Sequence, residues 1–268
     1  MKSYNGNDHT FVICAYKENP YLEETIHSLK NQTIKSNIIL STSTPNEHII
    51  NLCEKYEIPY FVNPNPKSAA SDWNFGFDKA STELVTMAHQ DDTYEPNYVE
   101  EILKAANQNK KDDTILIFTD YYEHKLGKKE TSNLLLNVKR IINFPLSLQC
   151  FWSNRFVRKR TLSVGCAICC PTVTFLKKNV PFPLFDTKYK NSCDYMTWVI
   201  LAEEKGAFIY LRKRLLGHRI YAESATSLNI SENIRVKEDY EILCHYWPKA
   251  IAKLINSIYA QSEKSNKV

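Results

Sequence analysis

The sequence predicts an α/β fold: one composite domain built on a mostly parallel central sheet flanked by helices, with a helical extension at the C-terminus. Two patterns carry this expectation. Short, continuous apolar runs of β-type residues alternate with amphipathic segments of helical period through the first half of the chain. Several of the helical segments open on a capping residue followed by Pro. A third observation sets the scale: 268 residues with 43% hydrophobic and 24% charged side chains are enough for one large core.

Taken in order, "FVICA" (11–15) reads as the first strand. "NPYLEETIHSLKNQ" (19–32) reads as a helix with Asn19 as N-cap, Pro20 at the first helical position, Glu23 and Glu24 in the first turn, and Leu22, Ile26 and Leu29 on one face. "NIILST" (37–42) is a second strand, and "TPNEHIINLCEKY" (44–56) opens with Thr44 and Glu47 in capping-box spacing. "PYFVN" (59–63) gives a third strand, followed by a helix over 71–80. "ELVTMA" (83–88) is a fourth strand, "EPNYVEEILKAAN" (95–107) a helix, and "TILIF" (114–118) a buried strand. Residues 125–165 are less periodic. A short helix is expected at 172–178, a strong one at 193–206 stopped by Gly206, and strands at "AFIYL" (207–211) and "LLGHRIY" (215–221). An amphipathic helix over 232–258, interrupted near Pro248, precedes a polar tail. The expected division is a first half to about residue 124, a second half to about 230, and the extension from 231.

A formal charge of +4 is too mild to argue for nucleic acid and suits a protein that meets anionic ligands. No run approaches the roughly 20 apolar residues that span a bilayer, and "MKSYNGNDHT" lacks the apolar segment of a signal peptide. The eight cysteines sit mostly in apolar runs, so a reduced, cytoplasmic protein is expected, with "CAICC" (166–170) as buried thiols.

Function enters at "ELVTMAHQDDTYEP" (83–96). An apolar strand ends abruptly in His89, Gln90, Asp91 and Asp92, and in such sheets ligands bind beyond the carboxyl ends of strands. Adjacent carboxylates repel, so a positive group is expected beside them, whether solvent-borne, a basic side chain or a divalent cation. With six glycines, the chain has neither a P-loop nor a dinucleotide fingerprint, and it has no nucleophile elbow. A second acid, Asp194, opens the helix at 193–206. Oxygen-rich sites take hard cations such as Mg²⁺ or Mn²⁺.

The order strand, helix, "NPKSAASDWNFGFDKASTELVTMAHQDDTYEPNYVEEIL" and then "FDTKYKNSCDYMTWVILAEEKGAFIYLRKRLLGHRIYAESAT" resembles the family 2 glycosyltransferases of the GT-A fold, over roughly residues 10–230. The matching pieces are Asn74-Phe75-Gly76 for an Asn-x-Gly element and His89-Gln90-Asp91, with Asp92 adjacent, for the Asp-x-Asp metal motif. Asp194 matches the general base, and "RIYAESAT" from Arg219 the basic closing segment. The family's acids after the second strand have no counterpart in "STSTPN" (41–46).

The resemblance implies an inverting, Mn²⁺- or Mg²⁺-dependent enzyme that moves a sugar from a nucleotide-sugar donor, a UDP-sugar first, to a hydroxyl of a glycan or lipid-linked acceptor. Its usual setting is bacterial cell-surface polysaccharide or lipopolysaccharide synthesis. It makes Asp194 the base and Asp91, with Asp92 and His89, the metal group. Ala15, Tyr16, Glu18, Ser41, Asp72, Asn74, Gln90 and Arg219 become donor contacts, and Tyr195 and Trp198 acceptor contacts. The cluster Arg155, Arg158, Lys159 and Arg160 offers a basic surface for lipid head groups or a solvated loop. A nucleotidyltransferase, or a GT-A domain that binds without turnover, stays open as an alternative.

Overall fold

The computed structural model describes residues 3–125, 127–221 and 234–264. Residues 222–226 of the closing segment "RIYAESAT" lie outside them. The first four strands follow the expected βα alternation: β1 (His9–Ala15), α1 (Leu22–Lys30), β2 (Asn37–Thr42), α2 (Glu47–Lys55), β3 (Tyr60–Val62), α3 (Ala69–Lys79) and β4 (Leu84–His89). They lie parallel in the order β3-β2-β1-β4, so their carboxyl ends share one edge.

After β4 the chain makes a two-residue strand, β5 (Thr93–Tyr94), then α4 (Tyr98–Gln108), β6 (Thr114–Lys125) and β7 (Lys128–Glu130). Next come α5 (Leu134–Asn143), α6 (Arg155–Leu162), β8 (Val173–Leu176), α7 (Cys193–Leu201) and β9 (Ala207–Ile220). Two helices, α8 (Ile234–Leu243) and α9 (Lys249–Lys264), end the described chain. The sheet continues β4-β8-β6-β9-β5, with β7 on β6, and β8 is antiparallel to both neighbours. Parallel pairing therefore holds in the first half and at β6–β9, while the second half is mixed.

Several local expectations are corrected. Residues 172–178 form a 3-10 turn and strand β8, because Val-Thr-Phe-Leu is a β-type run inserted between β4 and β6. Asn46, not Thr44, caps α2 by accepting from the Ile49 amide, while Thr44 Oγ1 accepts from the Lys17 amide at 2.5 Å. The helix after Asn19 begins at Leu22, with the Asn19 side chain accepting from the Tyr21 amide. "AFIYL" and "LLGHRIY" are one strand, β9, whose pairing with β6 is irregular near Asp120. The 232–258 segment is two helices parted just before Pro248, as the proline predicts.

The basic cluster at 155–160 forms α6, and Arg158 on it is fully buried. Its guanidinium donates to the carbonyls of Ala202 (2.8 Å), Gly206 (2.6 Å) and Glu204, completing the end of α7. Arg158 is thus a helix cap and not a surface charge. The extension is also integral to the domain. Glu238 of α8 accepts the amides of Lys190, Asn191 and Ser192 at 2.8–2.9 Å, immediately before Asp194, and Ile242 and Leu243 are fully buried.

Two glycines allow close approaches that fix the cleft. A Cβ on Gly76 would lie 2.9 Å from side-chain atoms of Ser41 and Val12, so Gly lets α3 settle onto β1 and β2. A Cβ on Gly217 would meet Thr93 Oγ1 at 2.6 Å, so Gly lets β5 pair with β9.

Beneath the site a polar chain crosses the sheet. His9 Nε2 meets Thr86 Oγ1 at 2.8 Å, Thr86 Oγ1 meets Thr174 Oγ1 at 2.6 Å, and Tyr98 Oη meets Thr174 Oγ1 at 3.0 Å. Complete burial lowers the His9 pKa to about 3. The folded state therefore refuses a proton that the unfolded chain accepts below about pH 6.5. Stability should fall as pH drops from there toward 3, by about 1.4 kcal/mol per unit from this group. Urea unfolding of wild type and His9→Gln between pH 6.5 and 5 measures it. The variant is expected to show the shallower pH dependence.

Candidate functional site

The parallel strands deliver the tips of β1, β2 and β4 to one edge, and three connections hold the β4 tip in place. Thr25 Oγ1, on α1, donates within reach of two carbonyls, those of Gln90 (2.9 Å) and Asp92 (2.8 Å). The Gln90 amide accepts from the Tyr16 N–H (2.9 Å) and donates to the Tyr16 carbonyl (3.0 Å), locking the β1 tip to the β4 tip. Asp92 reaches across to β9, where its Oδ1 accepts the Arg219 amide at 2.9 Å and lies 3.0 Å from His218 Nδ1.

Asp92 is fully buried, and burial alone would raise its pKa. The adjacent imidazole of His218, that of His89 and the Arg219 amide outweigh it, so the carboxyl is held below the usual aspartate range. His218 is correspondingly raised. Burial works against its charged form, and the Asp92 carboxylate overcomes that. His218 Nδ1 and Asp92 Oδ1, 3.0 Å apart, form an ion pair when the imidazole is protonated, with Asp92 buried and His218 half-buried. Asp91, half-buried beside it, moves the opposite way, raised first by burial and then by the Asp92 charge. Tyr221 Oη donates to Asp91 Oδ2 at 2.9 Å, and Asn19 Nδ2 donates to Tyr221 Oη at 3.0 Å.

His89, Asp91 and Asp92 are brought together, one ligand atom from each lying within 4.8 Å of the others. Two of their polar atoms, His89 Nε2 and Asp92 Oδ2, are buried without a hydrogen-bond partner. Unpaired buried acceptors are costly unless something fills them. Two carboxylates and an imidazole around such a space suit a divalent cation of the Mn²⁺ or Mg²⁺ type. Trp73 lies against His89, ring centroids 5.2 Å apart, and so forms a wall of the site.

Asp194, in the first turn of α7, is half-buried, and its Oδ1 accepts from the Tyr195 amide at 2.7 Å. Burial raises its pKa against the opposing influence of Arg235, the Tyr195 amide, His89 and Lys139. Asp194 thus lies within electrostatic reach of His89.

The other expected contacts divide. Tyr16 is 53% exposed, so its ring is free at the rim while its backbone is held. Glu18 is exposed beyond it, and Ala15, which ends β1, is buried. Asp72 accepts from Ser43 Oγ (2.6 Å) and Asn63 Nδ2 (2.7 Å), so α3 brings an acid to the end of β2, where the local sequence has none.

Ser41 is buried against Gly76, under α3. Asn74 spends its amide on the backbone of Leu184 and Phe185, which ties the 184–185 loop to α3 and leaves no free group for a donor. Gln90 is likewise committed to Tyr16. Arg219 bonds the Asp91 carbonyl (3.0 Å) and Glu24 (2.6 Å) over the Tyr21 ring, so it braces the tip.

Tyr195 and Trp198 are core residues and no acceptor platform. Trp198 is fully buried and stacked on Phe175, and Tyr195 donates to the Leu162 carbonyl. Sequence reasoning missed Thr25, Glu24 and Lys139, which carry no local motif. His218, on β9, and Tyr221, just past its end, lie within the closing run but carry no signal of their contacts with Asp92 and Asp91.

The model of the family described as "Glycosyl transferase family 2" matches residues 10–180. No curated protein matches the chain by sequence. Among solved structures, S. aureus TarS 1–349 superposes with a TM-score of 0.59 at 12% identity, covering 93% of this chain and 69% of that one. The same fragment in complex with UDP-GlcNAc gives 0.59 at 14% identity, covering 97% and 73%. The mannosyltransferase PcManGT from Pyrobaculum calidifontis, in complex with GDP-Man and Mn²⁺, gives 0.63 at 10% identity, covering 99% and 77%. A longer TarS structure is covered over 44% of its length. At these identities the likeness is one of fold.

The geometry separates the two adjacent acids. Asp92→Ala leaves the half-buried His218 ring and the Arg219 amide without their acceptor and should cost about 1–3 kcal/mol of folding free energy. Asp91→Ala removes a carboxylate already disfavoured by its surroundings and should cost under about 1 kcal/mol. Denaturant unfolding of both variants reads the difference, and equal losses would contradict the assignment.

Proposed function

The chain belongs to glycosyl transferase family 2, and on that premise we propose that it transfers a sugar, with inversion, from a nucleotide-sugar donor to an acceptor hydroxyl, using a divalent cation. The observation that carries this reading is the His89–Asp91–Asp92 cluster at the carboxyl ends of parallel strands, with Asp194 in electrostatic reach of it. The likeness to structures whose titles name UDP-GlcNAc, or GDP-Man and Mn²⁺, supports the donor class and the cation.

Asp91 and His89, with the free oxygen of Asp92, would hold the cation. When bound, it supplies positive charge to the donor's diphosphate and makes that group a better leaving group. The remaining work falls to the chain. Tyr221 and the Arg219 brace orient the Asp91 carboxylate and backbone. Tyr16 offers an exposed ring for stacking on the nucleobase. Asp72 supplies the acid that reads the base, a role for which the β2 tip has no residue of its own. A UDP-sugar remains the first donor to test.

Asp194 takes the proton of the acceptor hydroxyl as its oxygen bonds to the anomeric carbon. The bond from that carbon to the diphosphate oxygen breaks, and its electron pair leaves with the nucleoside diphosphate. One base and no covalent intermediate give inversion. The acceptor is a glycan or lipid-linked hydroxyl, in keeping with cell-surface glycan synthesis.

Nucleoside diphosphate release, with and without Mn²⁺, tests the reading. Asp194→Asn should lower kcat by about 10²–10⁴ while leaving donor affinity unchanged. Because the folded pKa of Asp194 is raised, the wild-type acid limb should lie above the ordinary aspartate value of about 3.9, with activity lost as pH falls through it. Asp72→Ala should weaken nucleotide binding about tenfold or more, as expected for one charge-assisted hydrogen bond. Release of inorganic phosphate or diphosphate instead would indicate a phosphohydrolase or nucleotidyltransferase.

A further inference from the structure

Helix α5 has two unlike faces. Its inner face is tied to β6: Arg140 Nε donates to Asp120 at 2.8 Å, Lys139 Nζ to Tyr121 Oη at 3.1 Å, and Asn133 Nδ2 to Glu123 at 2.8 Å. Tyr121 in turn lies against His218, ring centroids 6.1 Å apart, so α5 is separated from the Asp92 bridge by one aromatic ring. The outer face is apolar and open. Leu134 is 81% exposed, Val138 41% and Ile141 73%, at helical spacings of four and three, and exposed Phe144 continues the stripe. Isolated exposed apolar residues need no explanation, but a continuous stripe does.

The stripe is bordered by cations. The exposed segment Arg212–Arg214 of β9 runs beside it, with the Arg212 guanidinium 5.0 Å above the Phe144 ring and Arg214 donating to the Thr131 carbonyl near the start of α5. Among the described residues neither arginine has a carboxylate partner, whereas Lys213 between them is paired with Glu101 at 2.6 Å. An apolar stripe edged by unpaired cations complements a surface that is apolar within and anionic at its boundary. A second copy fits less well, because an isologous contact would bring the same arginines together.

We propose that the outer face of α5, with Phe144, Arg212 and Arg214, docks on an anionic lipid surface. No described helix is long and apolar enough to cross a membrane, so this is contact from one side. On the glycosyl-transfer reading, docking through α5 would bring the chain to a surface from which a lipid-linked acceptor presents its hydroxyl. The docking itself does not depend on the donor chemistry.

Flotation of the full chain with vesicles of phosphatidylcholine, or of phosphatidylcholine mixed with phosphatidylglycerol, tests it. Binding is expected only to the anionic vesicles and should weaken as salt rises. The double substitution Leu134→Ser, Ile141→Ser should reduce binding at least tenfold with an unchanged melting temperature, since both side chains are already in solvent. Arg212→Ala and Arg214→Ala should each reduce it about fivefold. No binding by wild type, equal binding to neutral vesicles, or undiminished binding by the double variant would overturn the proposal. So would a dimer in sedimentation that the double substitution dissociates, which would assign the face to a second copy. Nucleotide binding, measured on the same variants, should be unchanged and keeps a failure here distinct from a failure of the glycosyl-transfer reading.

Discussion

A buried carboxylate ties the tip of β4 to β9 across the sheet. Asp92 leaves the tip of β4, the last strand of the parallel first half, and bonds the His218 ring and Arg219 amide on β9, the long strand of the second half. Asp92 is out of water, so the cost of burying it is offset only while the His218 ring and the Arg219 amide both face the carboxylate. The close pairing of β5 with β9, permitted by Gly217, brings those partners into register. Beside Asp92, Asp91 Oδ2 accepts from Tyr221 while a ligand atom of Asp91 stays within 4.8 Å of those of His89 and Asp92.

That constraint divides the polar groups of the edge into braces and free groups. Gln90, Asn74 and Thr25 bond backbone carbonyls and amides, and Arg219 bonds the Asp91 carbonyl and the Glu24 carboxylate, holding the edge at fixed spacing. His89 Nε2 and Asp92 Oδ2 are left without hydrogen bonds in the interior, and the Tyr16 ring is exposed at the rim. A site that binds a charged diphosphate needs both kinds, because free ligand atoms are useful only when a rigid frame keeps them from collapsing onto one another. Burial, and then the Asp92 charge, raises Asp91 while His218 satisfies Asp92, so the two adjacent acids are physically inequivalent.

The first half of the fold was legible because its strands are continuous apolar runs and its helices carry caps. The acid tip at 89–92 was legible because an apolar strand ended in charge. Long-range partners were less so. Nothing near Asn74 announces that its amide closes on residues 184–185, and nothing near Gln90 that it clamps Tyr16. Tyr195 and Trp198 were misread because they neighbour Asp194 on α7, whereas both side chains run into the core, Trp198 onto Phe175 and Tyr195 to the Leu162 carbonyl. At 172–178 a β-type run too short to show its period was taken for a helix. Arg158 shows the same limit: a basic cluster looks solvated until one of its members turns inward to cap a neighbouring helix.

The central claim is that the β4 tip holds a cation against a diphosphate, with Asp91 as the ligand that turns toward the cleft. Electron paramagnetic resonance of Mn²⁺ titrated into the full chain with a nucleoside diphosphate measures this directly. The account predicts bound Mn²⁺ that depends on the nucleotide, is lost in Asp91→Ala and is retained in Asp194→Asn. Equal Mn²⁺ binding by wild type and Asp91→Ala would contradict it.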